Sequence, residues 1–137
     1  MKTKEGIVLI CCMLMFTCSK APKPIEYGHD NCSFCSMTIM DDRHASEIIT
    51  EKGKVYKYDS IECMLRSLKT HEEPILKYLV IDFNNADTFI DATTATYLIS
   101  ESLPSPMGAN LSAFRSEEEV IQSGALFDWD SIRDHIK

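Results

Sequence analysis

The chain has 137 residues, of which 45% are hydrophobic and 26% charged, and this composition is typical of one ordinary globular domain. Its net charge of -7 at pH 7, with no basic patch, excludes nucleic acid as an expected partner, because binding to phosphates needs clustered lysine and arginine.

The N-terminus has the features of a targeting segment. Lys2 and Lys4 precede an apolar run of ten residues, 7–16, which is too short for a permanent membrane span. The run ends just before Cys18 and a proline-rich linker, an order that resembles a bacterial lipoprotein signal with cleavage before Cys18 and lipid on its thiol. The alternative is a plain secretory signal cleaved near Ala21.

Export changes how the cysteines are interpreted. We expect residues 1–17 to be removed as a signal peptide and residues 18–28 to form a lipidated, proline-rich N-terminus. Apart from the lipidated thiol, only Cys32, Cys35 and Cys63 then remain. Three thiols cannot all pair within one chain in an oxidising compartment, so either one is free beside a disulfide or the thiols bind metal.

The stretch from His29 to Met40 is the richest in metal-binding side chains. It holds two thiols, two thioethers and one imidazole, the side chains that soft metal ions prefer.

Alternating and helical patterns follow this stretch in a strand-strand-helix-strand order. We predict strands over residues 45–50 and 55–58 with a glycine turn between them, a helix capped by Asp59 or Ser60 that ends near Thr70, and a strand over residues 76–83.

A similar order follows in the second half of the chain. The patterns predict strand material over 89–91 and 94–100, a proline-rich loop, and a strand over 111–114. A helix with a capping-box spacing from Ser116 to Glu119 would then end at Gly124, followed by a strand over 125–129 and a terminal helix over 130–136.

The two halves carry a short internal match. Tyr58-Asp59-Ser60 and Phe114-Arg115-Ser116 lie 56 residues apart at the same place in each pattern, and Leu65 and Ile121 match at that offset. We therefore predict an α+β fold in which two related strand-strand-helix-strand units, about 29–84 and 85–137, form one small domain over residues 29–137.

Cys32 and Cys35 form a C-x-x-C pair, a spacing that lets two thiolates reach one ion. One alternative is a thiol-disulfide protein, but a thioredoxin-like pair starts a helix, whereas the β-type residues Thr38 and Ile39 follow here. Another is a structural zinc module for protein interactions, with Cys63 and a histidine completing four ligands. Cys63 could equally be a small buried residue of the helix.

Methionines add candidate thioether ligands. In an extended chain, Met37 would share a face with Cys35, and such a sulfur pair suits Cu(I). Met107 lies between Pro106 and Gly108, where no amphipathic pattern buries it, whereas Met64 fits the apolar helix face and is expected in the core. We expect the three histidines outside the Cys-rich stretch to lie in turns or on the surface.

These motifs, in this order, resemble the NosL family, the nitrous oxide reductase accessory lipoproteins. The likeness is carried by CSFCSMTI at 32–39, the aromatic-Asp-Ser helix start followed by Cys63-Met64, and the Pro106-Met107-Gly108 loop before a strand ending in Phe114. Family members often have Cys-Gly-Met where this chain has Cys35-Ser36-Met37. The resemblance covers nearly all of the chain after the linker.

The resemblance implies a copper chaperone and not an enzyme. Cu(I) would be held by Cys35 and Met107, with Met37 and Cys32 as further ligands. Residues that could also contribute are Met64, Cys63 and His29.

Partners and location also follow from the resemblance. It implies delivery of the metal through a membrane transporter complex to the machinery that matures nitrous oxide reductase. Lipid on Cys18 would hold the protein on a membrane facing the periplasm, with the outer membrane favoured over the inner.

Overall fold

Two small antiparallel sheets and two short α-helices make up the fold. The structure, a computed structural model, describes residues 19–137, so the predicted signal peptide and Cys18 lie outside the described residues. The regular elements are β1 (Ser46–Thr50), β2 (Val55–Tyr58), α1 (Ile61–Ser67), β3 (Ile75–Ile81), β4 (Phe89–Asp91), β5 (Thr96–Ile99), β6 (Leu111–Phe114), a 3-10 turn (Glu117–Glu119), β7 (Ala125–Phe127) and α2 (Trp129–His135). Within residues 19–137, neither helix has the length or apolar character needed to cross a membrane.

The first sheet has the strand order β2-β1-β3-β4, with β1 in the interior. Ile48 of β1 lies opposite Tyr56 of β2 and Tyr78 of β3, so both edges of this strand are paired. All five residues of β1 are buried. The predicted first and second strands are confirmed, as is the first helix with Ser60 as its cap. Helix α1 ends at Ser67 rather than near Thr70, and β3 ends two residues earlier than the sequence pattern suggested.

The second sheet repeats the arrangement of the first three strands. Its order is β6-β5-β7, so in each unit the first strand lies between the second and the third. The strand ends also match: Ser60 after β2 has φ -150° and ψ 161°, and Ser116 after β6 has φ -152° and ψ 166°. The predicted α+β fold of two related units is confirmed. Leu65 and Ile121 do not match in environment, since Leu65 is buried and Ile121 is exposed.

Strand β4 adds to the first sheet, although the sequence pattern grouped it with the second unit. Ile90 of β4 lies opposite Val80 of β3. The chain reverses between them because Asp87 takes a positive φ of 56° and the Asp82 N–H donates to the Thr88 carbonyl at 2.9 Å.

The predicted second-unit helix is wrong. Only a 3-10 turn forms at Glu117–Glu119, and the Ser116 side chain makes no capping hydrogen bond. None of the residues in this turn is buried, and the following Ile121 points to solvent. A short helix needs a packed apolar face to be stable, and this segment has none.

Gly124 does not end a helix, as the sequence suggested, but allows the chain to approach β5 closely. A Cβ atom at this position would lie 2.3 Å from the Ile99 carbonyl oxygen and 2.8 Å from a methyl group of Leu98. The absence of a side chain therefore lets β7 pair with β5 directly after this glycine.

Polar contacts fasten the two sheets together. His44 lies in a turn over residues 42–44, one of the two places predicted from the sequence, but it is buried, with Nδ1 3.0 Å from Asp41 and Nε2 3.3 Å from the Ser112 hydroxyl of β6. Nearby, Arg115 donates to the buried Asp82 carboxylate at 3.0 Å. The histidine is therefore part of the contact between the units rather than a surface residue.

Candidate metal centre

The C-x-x-C pair lies in a closed turn. The Cys32 N–H donates to the Met37 carbonyl at 2.8 Å, and the Ser36 N–H donates to the Cys32 carbonyl at 3.0 Å. Ser36 has a φ of +65°, so the chain between Cys35 and Met37 is not extended, as the sequence analysis had assumed. The turn is held beside β2 by a hydrogen bond from the Ser33 N–H to the Lys57 carbonyl at 2.8 Å.

The other half of the site comes from the junction of β2 and α1. Ser60 caps the helix and accepts a hydrogen bond from the Cys63 N–H at 3.2 Å. Because Ser60 is the cap, the carboxylate of Asp59 is not needed for capping. The strand end and the first helical turn therefore present Asp59 and Cys63 to the C-x-x-C turn.

These two halves form a cluster of four side chains. The thiols of Cys32, Cys35 and Cys63 and a carboxylate oxygen of Asp59 all lie within 4.8 Å of one another. Cys32, Cys63 and Asp59 are at most 3% exposed, whereas Cys35 is half-buried. We call these four residues the thiol cluster. One of its thiols faces outward, and the others lie in the interior.

The thiols of the cluster are not equivalent in acidity. The hydrogen bond from Cys63 lowers the pKa of Cys32 to about 6, and the Cys35 N–H also donates to this sulfur at 3.5 Å. The same hydrogen bond raises the pKa of Cys63, because its proton is needed for the donation. Burial raises the pKa of Cys35. The interaction between Cys32 and Cys63 therefore lowers the pKa of one thiol and raises that of the other, so the two titrate as a pair.

Two predicted site residues belong to the cluster and a third joins them. Cys32 and Cys35 are both present, and Cys63, a lesser candidate that could have been a simple core residue, is buried and faces them. Asp59 was considered only as a helix cap. Its position four residues before Cys63, at the helix entrance, is the signal that could have indicated it.

The other candidates lie in three different environments. Met64 is fully buried, which confirms its expected place in the core, and His29 is exposed. Met37 is 54% exposed on the C-x-x-C turn. Met107 was expected to be an exposed loop residue, but it is half-buried against the hydrophobic core that contains Cys32 and Cys63.

The arrangement differs from a thioredoxin-like redox pair. Such a pair starts a helix whose N-terminus acidifies the first thiol. Here Cys32 and Cys35 lie in a turn, and the pKa of Cys32 is lowered chiefly by Cys63. A third thiol and a carboxylate around the pair are typical of metal coordination.

Fold and cluster together define a class of protein: a small α+β domain of two related units with a cysteine-rich candidate metal centre in the first. A family model described as NosL matches residues 24–122, and the chain therefore belongs to the NosL family. Among solved structures, the fold is similar to that titled the copper chaperone NosL from Shewanella denitrificans, with a TM-score of 0.69 and 21% identity over 82% of this chain and 95% of the other. No curated protein matches the sequence.

Proposed function

We propose that this protein is a copper chaperone that carries one Cu(I) ion in the thiol cluster. The observation that carries the proposal is the meeting of three thiols from two separate parts of the chain within 4.8 Å. Thiolates are the ligands that Cu(I) prefers among protein side chains. Membership of the NosL family and the fold shared with a protein titled a copper chaperone support the same function.

The exposure of the cluster suits a carrier rather than an enzyme. Cys35 is half-buried, and Met37 on the same turn is 54% exposed, so an acceptor can reach the metal from this side. Cu(I) accepts few ligands, which leaves room for an acceptor ligand before the donor releases. We propose Met37 and Met107 as thioether ligands that can each take the place of a thiolate, so that the ion keeps about two or three sulfur ligands at a time.

The proposed destination of the metal is nitrous oxide reductase. In this proposal the chaperone passes Cu(I) through a membrane transporter complex to the machinery that matures the reductase. The support is family membership and the outward-facing part of the cluster.

The test is anaerobic titration of the reduced protein with Cu(I) in competition with the chromophoric chelator bathocuproine disulfonate. We expect one tightly bound Cu(I) per chain, with a sulfur-to-copper charge-transfer absorption band in the ultraviolet. Each thiol that binds copper must give up its proton, so binding should release protons and weaken as the pH falls. A protein that leaves all the copper with the chelator would contradict the proposal.

A zinc module is the second candidate, favoured by Asp59. Its Oδ1 atom is buried and has no hydrogen-bond partner within the described part of the chain. Three thiolates and one carboxylate oxygen would supply the four ligands of a tetrahedral zinc site, whereas Cu(I) binds a carboxylate oxygen only weakly.

We expect Asp59→Asn to weaken Zn(II) binding by about tenfold or more and to change the affinity for Cu(I) by less than about threefold. Equal losses for both metals would assign Asp59 to the copper site as well.

We also propose that lipid on Cys18 anchors the protein to a membrane facing the periplasm, with the outer membrane favoured. The support is the sequence pattern, with an apolar run that ends just before this cysteine. Labelled fatty acid should enter the wild-type protein and be absent from Cys18→Ala. An unlabelled wild-type protein that begins near Ala21 would contradict the lipid anchor.

A further inference from the structure

The turn that carries Met107 is well defined. The Gly108 N–H donates to the Ser105 carbonyl at 3.0 Å, which closes a β-turn with Pro106 and Met107 at its centre. Gly108 has a φ of +79°, a value that favours glycine. Met107 therefore occupies the centre of a tight turn rather than a loose segment of the long β5–β6 connection.

A single carboxylate holds this turn. Glu62 is fully buried, and its Oε1 atom accepts hydrogen bonds from the Ser105 hydroxyl and, at 3.2 Å, from the Ala109 N–H. These two donors lie two residues before and two residues after Met107. The carboxylate therefore fixes both sides of the turn at once.

The same residue belongs to the thiol cluster's own helix. Glu62 lies in the first turn of α1 and directly precedes Cys63. It therefore joins the helical turn that supplies a cluster thiol to the turn that supplies Met107, across the two units of the fold. Met107 packs against the core that contains Cys63.

The two oxygens of Glu62 differ in their surroundings. Oε1 is bonded on both sides of Met107, whereas Oε2 is buried and has no hydrogen-bond partner among residues 19–137. All the hydrogen bonds recorded for this carboxylate therefore go to the turn that carries Met107.

We propose that Glu62 is a positioning residue, which fixes the turn that carries Met107 and so increases the affinity for Cu(I). The proposal rests on the copper-binding function and on the ligand role of Met107, both proposed above. Residues that hold metal ligands in place typically contribute 10- to 100-fold to affinity, so we expect Glu62→Ala to weaken Cu(I) binding about tenfold or more. Glu62→Gln keeps an oxygen acceptor for both donors and should remain within about threefold of wild type.

The experiment is a double-mutant cycle with Met107→Ala, with Cu(I) affinity measured by competition. If Glu62 acts through Met107, Glu62→Ala should cost little further affinity once Met107 is alanine. Ser105→Ala, which removes one of the two donors, is the milder variant and should give a smaller loss in the same direction. Glu47→Ala is the matched control. Like Glu62, Glu47 is fully buried and has one oxygen bonded to a backbone N–H and one oxygen without a partner among the described residues. Its hydrogen bond goes to residue 23 and not to the turn that carries Met107.

A second measurement needs no copper. Hydrogen exchange of the Ala109 amide in the metal-free protein should be slow in wild type and Glu47→Ala, and faster in Glu62→Ala. Wild-type affinity in Glu62→Ala, or an equal loss with and without Met107, would overturn the positioning role. A wild-type protein that binds no Cu(I) would overturn both the copper-binding function and the positioning role of Glu62. Slow exchange of the Ala109 amide in that protein would still show that the hydrogen bond between Glu62 and Ala109 is formed.

Discussion

Cys63→Ser should lower the affinity for Cu(I) by at least about 100-fold. The loss of a residue that only supports a metal ligand typically lowers metal affinity about 10- to 100-fold, and the loss of a direct ligand should lower it further. Serine has nearly the same size as cysteine but is a hard oxygen donor that Cu(I) binds poorly. The variant therefore changes the ligand and leaves the packing of α1 nearly as it was. The measurement is competition with bathocuproine disulfonate under anaerobic conditions.

The expected size of this loss depends on how the cluster binds its proton. The interaction between Cys63 and Cys32 lowers the pKa of Cys32 and raises that of Cys63. Copper must displace the protons that these thiols carry to bind both sulfurs. In Cys63→Ser the metal loses one thiolate, and Cys32 keeps a hydroxyl neighbour. Cys32→Ser should produce a loss of similar size, since it removes the other member of the pair.

Met64→Leu is the matched control. Met64 follows Cys63 directly and is also fully buried, but it is not a member of the thiol cluster. Leucine conserves its volume, so both the fold and the affinity for Cu(I) should stay close to wild type. If Cys63→Ser bound Cu(I) as tightly as wild type, the copper site would reduce to the set that the sequence first favoured, with Cys35, Met107, Met37 and Cys32 as its ligands.

Much of the fold could be predicted from sequence because its strands are marked by local patterns. Residues 55–58 and 111–114 were predicted with their observed bounds, and a serine follows each strand at the same distance. The second-unit helix could not be predicted correctly in this way. A capping-box spacing is local, whereas the absence of an apolar face for Glu117–Glu119 to bury depends on the packing of the whole domain.

The candidate site was only partly accessible to sequence reasoning. The C-x-x-C spacing is local and identified Cys32 and Cys35. Cys63 and Asp59 lie at the β2–α1 junction and meet Cys32 and Cys35 from about 30 residues further along the chain. A buried helical cysteine has the same local sequence pattern whether or not it faces other thiols, so this contact could not be predicted. The link between Glu62 and the Met107 turn spans 47 positions and leaves no local signal.

Glu47 is a fully buried residue of β1 whose side-chain oxygen accepts a hydrogen bond from the Lys23 N–H at 3.0 Å. Burial raises its pKa from 4.5 to about 7, although the charges of Lys57 and Lys23 oppose that rise and the charge of Asp30 adds to it. Its second oxygen has no partner. Glu47 therefore binds the N-terminal segment of the domain at residue 23 through a carboxyl group whose neutral form is favoured in the folded protein.

The direction of the pH effect follows from the raised pKa. Between pH 4.5 and about 7 the folded protein keeps the Glu47 proton, whereas the unfolded chain releases it. The contribution of this group to stability is therefore complete below pH 4.5 and is lost as the pH rises to about 7. Such a rise in pKa corresponds to about 3 kcal/mol, an upper bound for a group near two lysines.

Glu47→Gln keeps an oxygen acceptor for Lys23 and cannot ionise, so it should make the free energy of unfolding independent of this titration. We expect the variant and wild type to differ little at pH 4.5, and the variant to become more stable by up to about 3 kcal/mol at pH 8. Urea unfolding of both proteins at intervals between these values measures the difference. Glu26→Gln, which removes an exposed glutamate of the same N-terminal segment, is the control for the loss of one carboxylate charge. A difference between Glu47→Gln and wild type that stayed constant across the range would show that Glu47 does not titrate in this window, because only a proton bound unequally by the folded and unfolded chains can make the difference depend on pH.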